Sequence, residues 1–203
     1  MVPEEATIPV RLNSSGGGSV TLDVPSTGSA FNLTLPAANG NLGINLATAQ
    51  NSTSGTAIDF TGIPAGVRRV TVMFNGVSTN GSTRVLVQLG TSAGFVTTGY
   101  LIGITSFGGG TLVTTNDTSG FATEANGSSL QVPTASRHGA ISVEAFGGNV
   151  WVGRGNIGQS QATFSTFFGG TVALPGTLDR VRITTVNGTD IFDAGSINVA
   201  WEF

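Results

Sequence analysis

Leu178-Asp179-Arg180-Val181-Arg182-Ile183-Thr184-Thr185-Val186 leads through Asn187-Gly188 into Thr189-Asp190-Ile191-Phe192-Asp193 and on to Phe203. Apolar and polar residues alternate on both sides of the Asn-Gly pair. That period of two belongs to a half-buried strand, and Asn-Gly suits the positive φ angles of a two-residue type I′ loop. The expected hairpin pairs Thr185 with Asp190, Ile183 with Phe192, and Arg182 with Asp193. Arg182 and Asp193 form a charge pair on its wetter face, a register marker contributing roughly 0.2 to 1 kcal/mol.

A second segment reads the same way. Val70, Val72 and Phe74 alternate with Arg69, Thr71 and Met73, and Val85, Val87 and Leu89 alternate with Arg84, Leu86 and Gln88. A loop at Asn80-Gly81 sets Phe74 opposite Val87 and Val72 opposite Leu89, keeping the apolar sides together, which leaves Asn75-Gly76 as a bulge. Further short strands are expected at 100–105, 111–114, 129–132, 140–146, 150–152, 163–168 and 171–174. About ten short strands with turn residues between them and no fixed repeat imply an all-β, antiparallel β-sandwich of jelly-roll-like type. Composition agrees: 31 of 203 residues are Gly and 9% are charged, against the roughly 25% usual in soluble domains.

The first 40 residues read as an extended arm. Three alternating runs, Ile8 and Val10, then Val20, Leu22 and Val24, then Phe31, Leu33 and Leu35, are separated by Gly- and Pro-containing turns. Three short strands alone cannot bury an apolar side. These eight residues are expected to attach the arm to a partner chain; the other outcome is that they complete this chain's own sandwich. Residues 41–56, polar and rich in Asn, Ser, Thr and Gly, read as a linker, and residues 57–203 as the sandwich domain.

Chemistry-bearing motifs are sparse. Gly153-Arg154-Gly155-Asn156-Ile157-Gly158 matches the dinucleotide fingerprint, but no helical stripe follows to receive a pyrophosphate, so a close-packed or bulged strand is expected. The one histidine, His138, is expected in a solvated turn. It cannot form a His-based metal site alone, and the chain has no Cys to help it. Asn116-Asp117-Thr118-Ser119-Gly120 lacks the further acids of a Ca²⁺ loop and reads as a tight loop. Nothing marks a pair among the carboxylates. No catalytic residue, metal ligand or cofactor is expected. Trp151 is the candidate contact for a host glycan.

Eight Arg, no Lys and a net charge of −3 supply no basic field for nucleic acid. The opening Met1-Val2-Pro3-Glu4-Glu5 has no signal-peptide character, and no apolar run approaches the ~18 residues of a membrane span, so neither secretion nor membrane insertion is expected.

Three stretches carry a resemblance. Ile58-Asp59-Phe60-Thr61-Gly62-Ile63-Pro64-Ala65-Gly66-Val67-Arg68-Arg69-Val70-Thr71-Val72-Met73-Phe74, continuing to Val77-Ser78-Thr79-Asn80-Gly81, resembles a module of tailed-bacteriophage and prophage fibre-type proteins. Gly176 to Asp190 and Phe192 to Asn198 resemble its terminal hairpin, and Val150 to Gly158 fits between them. The resemblance implies a virion surface protein, assembled in the host cytoplasm, homotrimeric and attached through its N-terminal part to other virion proteins such as the capsid protein. The short arm suits a capsid decoration protein or short head fibre; the alternative is a tail-fibre or tail-spike tip that recognises host surface glycan.

Overall fold

The computed structural model describes residues 10–13, 15–22, 43–127, 131–133, 135–161 and 163–203. It divides the chain into two units, Met1–Leu35 and Pro36–Phe203. In the first, β1 (Val10–Asn13) and β2 (Ser19–Leu22) pair antiparallel, Val10 opposite Leu22 and Asn13 opposite Ser19, as a sheet of their own. Of the eight arm positions, Val10, Val20 and Leu22 fall in this pair. Ile8, Val24, Phe31, Leu33 and Leu35 lie outside the described residues.

The second unit is an antiparallel β-sandwich. One sheet has nine strands: β3 (Asn45–Leu46), β4 (Gln50–Asn51), β6 (Arg69–Thr79), β9 (Leu101–Gly108), β10 (Thr111–Asp117), β12 (Arg137–Gly147), β13 (Val150–Gln159), β14 (Phe164–Ala173) and β16 (Phe192–Glu202). Its order is β10-β9-β14-β13-β12-β6-β16-β3, with β4 also on β16. The other sheet has five: β5 (Ala57–Thr61), β7 (Val85–Thr91), β8 (Gly94–Phe95), β11 (Phe121–Ala122) and β15 (Arg180–Thr185), in the order β11-β7-β15-β5 with β8 on β7. The strands β3 and β4 come from the expected linker. They lack an apolar alternation because they are held by backbone bonds to β16 and by Ser52, whose N–H and hydroxyl donate to Gly195 and Ala194 carbonyls at 3.0 and 2.7 Å.

Period-two alternation puts one side of each long strand into a shared core. Val70, Val72, Ile141, Val143, Ile197 and Val199 come from the large sheet, and Val85, Val87, Leu89, Val181 and Ile183 from the small one. Tyr100, Phe121 and Phe168 fill the space between, Tyr100 meeting Phe121 edge-on at 5.3 Å and Phe121 stacking on Phe168 at 5.9 Å.

Both expected hairpins are corrected. Strands β6 and β7 do not pair: β6 lies between β12 and β16, and β7 between β11 and β15. Likewise β15 pairs with β5 and β7, whereas β16 pairs with β6. Each connection is an arch that crosses from one sheet to the other. The physical cause is in the loops. Asn187 Oδ1 accepts from the Thr189 and Asp190 N–H groups at 3.0 and 3.1 Å, an Asx-type turn that replaces the two-residue type I′ loop. The bulge expected at Asn75-Gly76 is present: the ladders to β12 and β16 both shift there, with Gly76 at φ 68° and Gly195 at φ 91°. A Cβ on Gly195 would stand 2.4 Å from the Gly76 carbonyl oxygen.

Candidate interaction surface

The outer side of the large sheet is built by the residues that alternate with the core. In register, Leu112 stands beside Phe107 and Phe107 beside Ser165; one step along, Thr114, Thr105, Phe167 and Asn156 form the next row. Gly103 and Gly169 face each other in the third row, and Leu101, Thr171 and Val152 continue the fourth. Leu101, Phe107, Leu112 and Phe167 are 71%, 58%, 64% and 54% exposed. Phe107, Leu112 and Phe167 stand in two neighbouring rows on three adjacent strands as an exposed apolar patch, and Leu101 lies beyond the Gly103 and Gly169 row. Charge is kept to its margin, where Arg69 bonds Glu144 at 3.2 Å and Glu202 at 3.3 Å, and Arg154 reaches Glu144 at 2.8 Å.

Every carboxylate of the sandwich domain has a partner. Beyond that margin, Asp59 pairs with Arg182, Asp117 with Arg84, Glu124 with Arg137 and Asp179 with Arg180. Asp190 accepts from Thr83 and Asn187, and Asp193 from the Ser78 hydroxyl. Hence the Arg182–Asp193 pair is corrected. The two residues lie in different sheets, and Arg182 forks instead onto Asp59 at 2.8 and 2.7 Å with its guanidinium 4.1 Å from the centre of the Phe95 ring. The Asp59 hydrogen bonds raise the Arg182 pKa above its usual value. Among the described residues no group of three or more His, Asp or Glu is placed to hold a metal ion.

Trp151 is also corrected as a glycan contact. It is 5% exposed because it falls on the inner side of β13, with Gly153, Gly155 and Ile157. The glycine motif is strand, as expected, and its close contact is aromatic: a Cβ on Gly153 would stand 2.2 Å from the Phe121 ring, and one on Gly155 2.2 Å from that of Phe168. His138 is exposed but lies in β12 rather than in a turn, where its Nδ1 accepts from the N–H of bulge residue Gly76 at 3.2 Å. Asp117 closes the expected tight loop by accepting from the Ser119 N–H and hydroxyl at 2.7 and 2.6 Å. The arrangement leaves apolar side chains of the large sheet open to solvent.

Neither a protein-family model, nor a curated protein, nor a solved structure matches this chain.

Two features went unread in the sequence. Glu124 and Arg137 meet from opposite ends of a loop, which no local spacing announces. The apolar patch did leave a trace, in the doublets Leu101-Ile102, Leu112-Val113 and Phe167-Phe168. An apolar doublet in a strand sends one side chain to each face of the sheet, and so marks two faces to be covered.

Proposed function

We propose that this chain is a non-enzymatic structural protein of a tailed-phage particle, a homotrimeric surface appendage of the capsid-decoration or short head-fibre kind. Residues 1–40 hold it to a neighbouring virion protein, and residues 57–203 are displayed. The observation that carries this reading is the outer side of the large sheet, with Phe107, Leu112 and Phe167 open to solvent in neighbouring rows and Leu101 open further along the same side. Burying such a patch is favourable by about 25 cal/mol per Å² of apolar area, which suits a chain whose work is assembly. Attachment by the arm is strand addition: backbone groups on a partner's edge are satisfied, and three arms in one trimer convert a weak attachment into a lasting one. The resemblance of the segments around Ile58 and Gly176 to fibre-type modules supports the setting. The glycan-recognising alternative loses its contact residue with the burial of Trp151.

The test is antibody labelling of intact particles in the electron microscope, with the full chain and with residues 1–40 deleted. Label over the head with the full chain, and none after deletion, is the expected result. Full occupancy without the arm removes the anchoring role, label at the tail moves the protein to a fibre, and unlabelled particles overturn the virion reading.

A further inference from the structure

We propose that β10 is a pairing edge at which two copies of the chain join, strand to strand about a two-fold axis, into one continuous sheet. The four sheet ends of the sandwich differ sharply. Strands β3 and β4, at one end of the large sheet, and β11, at one end of the small sheet, are two residues each, and β5 carries Asp59 in its ion pair with Arg182. Only β10, at the remaining end, is both long and uncharged along its open side.

The Gly109-Gly110 loop, with φ of 56° and 77°, turns β9 into β10 and sets Thr111 opposite Gly108. In an antiparallel ladder closed by such a loop, alternate residues bond inward, so the N–H and C=O groups of Leu112, Thr114 and Asn116 point away from β9. Among the described residues nothing bonds to those outward groups. Natural sheets guard such an edge with charge, proline or a bulge. Here the ladder to β9 runs seven pairs without a shift, Thr111 to Asn116 contains no charge and no proline, and Asp117 is turned in to Arg84 at 2.7 Å.

The occupant follows from the same residues. A two-fold axis at Val113 sets Val113 against itself, Leu112 against Thr114 and Thr111 against Thr115, so every cross-strand pair is apolar or β-branched and none sets like charges together. The axis also brings Leu112 and its neighbour Phe107 towards the same two residues of the second copy, joining two exposed patches into one. A second copy therefore supplies both the ladder and the apolar match. The contact lies in the plane of the sheet and is separate from trimer formation across the face: with the trimer it gives a hexamer, without it a dimer.

The experiment is mass by light scattering on the full chain, with amide hydrogen exchange, for wild type, Thr114→Pro and Leu112→Lys. The Thr114 N–H points outward, so proline removes an intermolecular bond and leaves the ladder to β9 intact. Leu112→Lys puts a charge on the edge and serves if the proline variant fails to fold. The expected result is an even-numbered wild-type species, halved in mass by either substitution, with the Leu112 and Thr114 amides protected only in wild type. A monomeric or trimeric wild type overturns the edge contact, the trimer standing on its own. An even-numbered mass that persists in both variants also overturns it.

Discussion

Glu124 and Arg137 are 0% and 2% exposed, a depth at which an ionised group survives only with its bonds complete. They are complete on the carboxylate side: Arg137 donates from Nε at 3.0 Å and from Nη2 at 2.5 Å, and the Thr123 hydroxyl donates to Oε2. The remaining guanidinium nitrogen donates to the Ala135 carbonyl at 3.3 Å. Removing one partner is therefore worse than removing both. Glu124→Leu is expected to cost about 3–5 kcal/mol in a urea titration, because it strands a buried cation, and Glu124→Leu with Arg137→Met is expected to recover most of that loss. Equal losses in the single and double variants would show that packing, and not the charge pair, dominates. Tyr100 makes the neutral counterpart of this site. Burial drives its pKa well above the ordinary value against the lowering effect of the Leu89 N–H, and the hydroxyl takes that N–H at 2.8 Å while donating to the Val96 carbonyl at 3.0 Å.

The arch loops show how a strand can be legible when its neighbour is not. Alternation located β6, β7, β15 and β16 correctly, because apolar residues at every second position mark a buried side wherever the strand sits. Pairing is not specified by it, because the same pattern arises whether the chain returns beside itself or across the core. Only the loops decide, and they decide through side chains. Asn80 N–H donates to the Ile191 carbonyl at 2.9 Å while its Oδ1 accepts from the Ile191 N–H at 2.8 Å, and Asp190 Oδ2 accepts from the Thr83 N–H and hydroxyl at 2.9 and 2.8 Å. The two arches are thus clamped to each other at one end of the sandwich. Burial pushes the Asp190 pKa up, but the hydrogen bonds from Asn187 and Thr83 outweigh it and hold the group below the usual carboxylate value of 3.8. A depressed folded-state pKa means that the unfolded chain binds the proton more readily. The stabilisation from Asp190 is then complete above the unfolded-state value and disappears as pH falls through the folded-state one. Thermal unfolding from pH 6 down to pH 2 is expected to lose less stability in Asp190→Asn than in wild type; parallel curves would remove Asp190 from the clamp.

The sandwich as a body has sides of unlike character, and its assembly follows from that difference. On the small sheet the middle strand β7 is buried along its whole length, and Arg182 is fixed between Asp59 and Phe95. The large sheet leaves the side away from the core open over β9, β10 and β14, where each apolar doublet places its first member. Inside the fold, Ile102, Ile104 and Phe168 fill the core, whereas Leu101, Phe107 and Phe167 lie outside it with more than half of each side chain left to be buried by contact beyond the chain. Phe107→Ser with Phe167→Ser is therefore expected to leave the melting temperature of the dilute monomer within a few degrees of wild type, as exposed substitutions usually do within about 0.5 kcal/mol. With the β10 edge blocked by Thr114→Pro, the same pair should shift the trimer–monomer equilibrium, measured by sedimentation, towards monomer by at least tenfold in concentration, since losing two buried aromatic side chains exceeds the ~1.4 kcal/mol that a factor of ten requires. A trimer of undiminished affinity would place the interface elsewhere on the chain. A monomer that melts early would mean that the two rings are part of the core after all.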